Sequence, residues 1–327
     1  MYCDPKTALT ILILVFAGCT GRVGGRRPSS TGERTTMMSG GTPAAPGQFP
    51  ATVYIPDCTA SKVGPRHFLT AAHCVVDRQA MAIEATFRPE ARLAIYTGVN
   101  LAEQQTRHLL TVRRTSIHPS YAEKLGSSEG QGVDKDDYAR VFDLALIEVE
   151  EETSGISAAS LDSGKLGKGD RIAVGGYGIK VDTSPFGSGS GGAVIVEGDA
   201  GLEPGPTHRL DFALTSVDGT DGTVQLVRNG YTIEGIGRVL SGGLFADQAL
   251  KLLPGDSGGA VLRDDRPEGA NPEEHAFTTI VGVNSFTGLT HSAFCRVDDQ
   301  GPGACLRSAL AGDGEHVMGA LPLLCAP

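Results

Sequence analysis

Tryptophan is absent from this 327-residue sequence, and aromatic residues together make up only 6% of it. Glycine, by contrast, supplies 45 residues. Because glycine weakens helix interiors, such a chain suits many short strands joined by turns better than long helices. An excess of positive charge is also lacking. The formal net charge is −10, which implies no phosphate-binding patch and excludes nucleic acid as an expected partner. The sequence holds no Cys-x-x-Cys pair and no His/Cys cluster at metal-ligand spacing, so no structural zinc and no cofactor are expected. Nor does it contain a repeat of fixed period. What remains is ordinary: 40% hydrophobic and 20% charged residues, enough to bury a sizeable core.

Residues 1–19 read as a signal peptide with a lipobox. Lys6 precedes the apolar run Ala8–Phe16, which is too short to span a bilayer and has the length of a signal-peptide core. It ends in Phe16-Ala17-Gly18-Cys19, which resembles a bacterial lipobox. That resemblance implies a lipidated Cys19 and an anchor in the cell-envelope membrane. Phe16 departs from the usual Leu, so the alternative is ordinary cleavage and release from the cell. Residues 20–37, rich in Gly, Ser, Thr and Arg without apolar periodicity, read as a flexible tether or pro-segment. An oxidising compartment then fits the five remaining cysteines, Cys58, Cys74, Cys295, Cys305 and Cys325. An odd count leaves at least one thiol outside any internal disulfide.

From Gln48 onward, short apolar or alternating runs are punctuated by turn residues: 51–55, 66–72, 91–98, 108–117, 143–150, 171–178, 225–233, 259–263 and 277–286. Asn229-Gly230 marks a hairpin turn. This spacing indicates an all-β barrel or sandwich. Residues 121–140 and 183–207 read as long surface loops, and the acidic run Asp134–Asp137 within the first as solvated charge.

Three short strings carry chemistry. Leu69-Thr70-Ala71-Ala72-His73-Cys74 places a histidine after a β-type run; alone, it could equally be a core histidine or a metal ligand. Asp143-Leu144-Ala145-Leu146 opens an apolar strand with a carboxylate, which needs a strong partner if buried. Gly255-Asp256-Ser257-Gly258-Gly259 surrounds one serine with three glycines, permitting a tight loop whose N–H groups converge. Together they supply what acyl transfer by a hydroxyl requires: a nucleophile, a base held in one tautomer, and donors for an oxyanion. A second string, Ser188–Val194, imitates the serine motif but lacks the aspartate.

In that order, TAAHC, DLAL and GDSGG resemble the chymotrypsin/trypsin family of serine peptidases. The likeness extends to Ser39–Thr42, Ile117–Tyr121, Gly176-Tyr177-Gly178 and Val281–Phe286, and so to about residues 38–300. It implies an all-β fold of two six-stranded antiparallel β-barrels, at about 48–155 and 165–300, with the active site in the cleft between them. It further implies peptide or protein substrates, His73 as general base, Asp143 as its orienting partner, Ser257 as nucleophile, and an oxyanion hole from the N–H groups of Gly255 and Ser257. A disulfide between Cys58 and Cys74 follows from the same resemblance. So does an ion pair between Asp256 and a new N-terminal ammonium created by an activating protease.

The departures are specific. Met38-Ser39-Gly40-Gly41 stands where the family has Ile-Val-Gly-Gly, and Arg34 lies three residues too early for the usual cut. In the specificity pocket, carried by Lys251, Ser285, Phe286 and Thr287, a lysine occupies the base and a threonine replaces glycine. Those residues favour an acidic or small side chain. Residues 301–327 form a divergent tail, in which Cys305–Cys325 and Cys295–Cys305 remain alternative disulfides. Two rival functions are a binding protein on an inactive protease fold and an esterase. The esterase is disfavoured because no Gly-x-Ser-x-Gly stands between strand and helix.

Overall fold

The computed structural model describes residues 41–103, 105–126, 142–178, 208–217, 219–221, 224–228, 252–253, 255–287, 291–299, 302–312 and 316–327. The signal region, the tether, the serine-motif imitation, the acidic run, the Asn229-Gly230 turn and Lys251 lie outside the described residues.

Six strands form the first barrel: β1 (Thr52–Ile55), β2 (Cys58–Lys62), β3 (His67–Thr70), β4 (Arg92–Thr97), β5 (Thr106–Ile117) and β6 (Ala145–Val149). Their order is β5-β4-β1-β2-β3-β6, and pairing of β5 with β6 closes the ring. Most of these strands are rich in β-branched or large apolar residues, which pack well on a pleated surface. Phe68, Leu69, Leu93, Ile95 and Ile147 are completely buried, and each such side chain contributes about 1.5–3 kcal/mol.

The second sheet runs β8-β7-β10-β11-β12-β9, formed by β7 (Arg171–Gly176), β8 (Asp211–Ser216), β9 (Val224–Arg228), β10 (Ala260–Arg263), β11 (Thr279–Thr287) and β12 (His291–Arg296). The short strand Thr42–Pro43 adds to β8. Alternation is visible on β7: Ile172 and Val174 join one apolar cluster with Val261, Val281 and Phe294, whereas Ala173 faces the other. The described residues are therefore mostly β, in one closed six-stranded barrel and a second antiparallel sheet.

Two parts differ from the sequence reading. The stretch expected to be a loop from residue 121 begins within helix α1 (Pro119–Gly126), which buries Tyr121, Ala122 and Leu125. Proline at the first helical position and an i, i+1, i+4 apolar stripe account for this, although the polar residues around them mask the period. The divergent tail also forms regular elements. Helix α2 (Pro302–Ala311) leads into a hairpin, β13 (His316–Met318) and β14 (Leu321–Leu323), and β14 pairs with β5 of the first barrel through Leu323 and Ile117.

One buried lysine holds the connection between the barrel and the second sheet. Lys62 Nζ donates to the carbonyls of Thr153 and, at 2.7 Å, of Ile156. Its ammonium thus caps the connector while burial lowers its pKa.

Candidate active site

The register of β3 against β6 pairs Thr70 with Ala145, so the residues just after one strand and just before the other meet. These are His73 and Asp143. His73 lies in a tight 3₁₀ turn, Ala72–Cys74, and the Cys58–Cys74 disulfide fastens that turn to the start of β2. The Asp143 side chain is 2% exposed and that of His73 21%. Asp143 Oδ1 accepts the His73 backbone N–H at 2.9 Å, and Oδ2 lies 2.6 Å from Nδ1. An ionised carboxylate only accepts, so Nδ1 carries the proton, and in the neutral ring the lone pair is on Nε2. Burial pushes the Asp143 pKa up, but the His73 charge and hydrogen bonds from His73 and Ser285 outweigh it and hold the pKa low. Cys58, His73 and Cys74 lie within ligand distance of one another, but the two sulfurs are bonded together and offer no thiolate.

Ser257 comes from the other sheet, ahead of β10, and its loop is seated on the first barrel by Thr59. The Thr59 N–H donates to the Ser257 carbonyl at 2.9 Å, and its Oγ1 donates to the Gly255 carbonyl at 2.7 Å. Thr59 Oγ1 also accepts the Tyr177 N–H at 2.9 Å, while its carbonyl accepts Thr70 Oγ1 at 2.9 Å. Gly258 shows how close the approach is. With φ at +79°, a Cβ there would stand 2.1 Å from Thr70 Oγ1 and 2.3 Å from the Thr59 carbonyl. The loop thus rests on Thr70, three residues before His73. Asn284 clasps its other side, exchanging backbone hydrogen bonds with Gly258 and Gly259.

Asp256 is fully buried, and Gly176 and Gly178 crowd its carboxyl group. Oδ2 accepts the Leu253 N–H at 2.9 Å, whereas among the described residues Oδ1 has no hydrogen-bond partner. Burial, opposed by backbone hydrogen bonds and reinforced by nearby Asp211, pushes its pKa up to about 7. A carboxyl group in this state lacks a counter-charge.

Ser285, expected in the specificity pocket, donates from Oγ to Asp143 Oδ2 at 2.7 Å. The cause is a shift in register between Asn284 and Phe286 on β11, opposite Phe294 and Ala293. Such a bulge takes the intervening residue out of the ladder and re-aims its side chain. Phe286 and Thr287 continue β11, and only their backbone is described. Two further residues escaped the sequence reading: Thr59, the seat of the serine loop, and Cys295, whose Sγ accepts the Asp143 N–H at 3.2 Å. Cys305 pairs with Cys325, which leaves Cys295 outside both disulfides. A cavity of about 630 Å³ lies between the tail and the first barrel, lined by His67, Arg113, Glu148, Leu310 and Val317. His73, Asp143 and Ser257 do not line it.

Residues 38–196 match the family model described as Trypsin, a span that takes in His73 and Asp143 and stops before Ser257. Among solved structures, the chain is similar to a mutant of human heparin binding protein (CAP37). The two share 17% identity over 84% of this chain and 94% of that one, with a TM-score of 0.49. No curated protein matches the sequence.

Proposed function

We propose that this chain, which carries a trypsin-family domain over residues 38–196, is an exported serine endopeptidase that works through an acyl-enzyme. The observation that carries the reading is the hydrogen bond between His73 Nδ1 and the buried Asp143 carboxylate. It leaves Nε2 as the ring nitrogen that can act as base. Ser257 is the nucleophile: its hydroxyl attacks the scissile carbonyl as its proton passes to His73. The N–H groups of Gly255 and Ser257 receive the oxyanion. His73 then returns the proton to the leaving amine, and water, activated by the same base, releases the acyl group.

The chain is made as a zymogen. Support comes from Asp256, a buried carboxyl group with an oxygen that lacks a partner among the described residues. An ammonium freed by cleavage near Met38 supplies the missing charge and fixes the serine loop. Lys251 and Thr287 favour an acidic or small substrate side chain, and a peptide-library profile dominated by cleavage after Arg or Lys would contradict that preference. Cys19 anchors the protein in the cell envelope by a lipid.

Casein hydrolysis by the mature protein tests the reading. Turnover should be blocked by a serine-directed inhibitor and lost in Ser257→Ala with the fold intact. Undiminished turnover in that variant would overturn it.

A further inference from the structure

We infer that Cys295 is a positioning residue for the catalytic carboxylate: its sulfur fixes the backbone of Asp143 and thereby sets the grip of that carboxylate on His73. The inference rests on the proposed peptidase reading but is tested partly without it.

Asp143 needs to be held at two levels. Its carboxylate is met by His73 N–H, His73 Nδ1–H and Ser285 Oγ–H. Those donors fix the oxygens relative to the ring, but they leave open where the residue itself sits. Asp143 follows Phe142 at the end of a long connection from α1, and regular pairing resumes only at Ala145. Its main-chain N–H is buried with it, and the acceptor it meets is Cys295 Sγ at 3.2 Å. Sulfur is a weak acceptor, yet a buried N–H with no acceptor is costly.

Cys295 is well placed to be rigid. It lies within β12, paired with Val224 on one side and Val283 on the other, and is completely buried. Val283 lies two residues before Ser285, so one pair of strands presents both the hydroxyl that binds the carboxylate and the sulfur that binds the amide. The bulge between Asn284 and Phe286 falls at Ser285, and both groups bond the same aspartate. Burial, together with the nearby Asp143 charge, pushes the thiol pKa up. The thiol therefore stays neutral and adds no second negative charge beside the carboxylate.

The test compares Cys295→Ser, which keeps an acceptor, with Cys295→Ala, which removes it without adding bulk. One readout is the downfield Nδ1 proton of His73, followed by NMR. The other is the split between kcat and KM on a peptide substrate. In Cys295→Ala the Nδ1 resonance should move upfield or broaden. The variant's kcat should drop roughly ten- to a hundredfold with KM within about twofold, as expected for loss of one buried hydrogen bond at a catalytic group. Cys295→Ser should restore both. A purely packing role would lower thermal stability without moving the resonance. The inference is overturned if folded Cys295→Ala keeps the wild-type resonance, or if Cys295→Ser departs from wild type as far as Cys295→Ala does. If the resonance responds as described but the wild type cleaves no peptide, the positioning role stands and the peptidase reading fails.

Discussion

At the scale of single residues, Asp143 concentrates the electrostatics of the site. A carboxylate this deeply buried would ordinarily take up a proton, and here the donors around it outweigh that tendency. Replacing it with asparagine keeps the shape but supplies an N–H where an acceptor is needed. The amide can hold His73 in the tautomer with its proton on Nε2, which cannot accept one from serine. We predict that Asp143→Asn lowers kcat by about 10⁴-fold, the loss seen when such a triad is altered in this way, with little change in thermal melting. Steady-state kinetics beside calorimetry checks this, and a loss under tenfold would contradict it. Ser285→Ala removes one charge-assisted donor. It should cost roughly tenfold in kcat/KM, the equivalent of about 1.4 kcal/mol. This is also the scale at which the sequence is legible only in part. His73, Asp143 and the glycines around Ser257 are written as compact strings because their chemistry constrains immediate neighbours. Thr59, Ser285 and Cys295 sit in ordinary strand sequence. They gain their roles from a barrel junction and a bulge, neither of which has a local signature.

At the scale of elements, most strands of the first barrel follow the runs visible in the sequence: 91–98 becomes Arg92–Thr97, and 143–150 contains Ala145–Val149. The tail does not show this correspondence. Gly312, Gly319 and Pro322 break its periodicity, so a helix and a hairpin there leave no pattern to detect. Their packing against β5, rather than their own propensity, decides their form. The Cys305–Cys325 disulfide spans 20 residues and ties the start of this unit to its end. Closing a loop of that length stabilises a fold by roughly 3 kcal/mol. Cys305→Ser with Cys325→Ser should therefore unfold at lower denaturant by an amount close to that figure. The catalytic constants should stay unchanged, because the tail joins the first barrel at Ile117 and not at His73. Equal loss of stability and of kcat would show that the tail supports the site directly.

Across the whole molecule, the described residues bury one carboxyl group, that of Asp256, without a counter-charge among them. Asp256 has a pKa near 7 in the fold, against an ordinary value of 3.8. Between those values the folded chain holds a proton that the unfolded chain has released, so stability falls as pH rises from about 4 to 7. The full effect is up to about 4 kcal/mol, at 1.36 kcal/mol per pKa unit. In uncut Ser257→Ala protein, adding Asp256→Asn should remove this pH dependence and stabilise the chain more at pH 8 than at pH 5. Denaturant unfolding at the two pH values checks it, and an equal effect of Asp256→Asn at both would contradict the assignment.

The account depends most on the Ser257 hydroxyl being made nucleophilic by a base that Asp143 orients. The most direct measurement treats mature protein with a fluorophosphonate and locates the adduct by peptide mass spectrometry. One phosphonylated residue is expected, Ser257, with labelling abolished in His73→Ala. An unlabelled protein, or an adduct on Ser188 or Ser190 with Ser257 unmodified, would contradict the account.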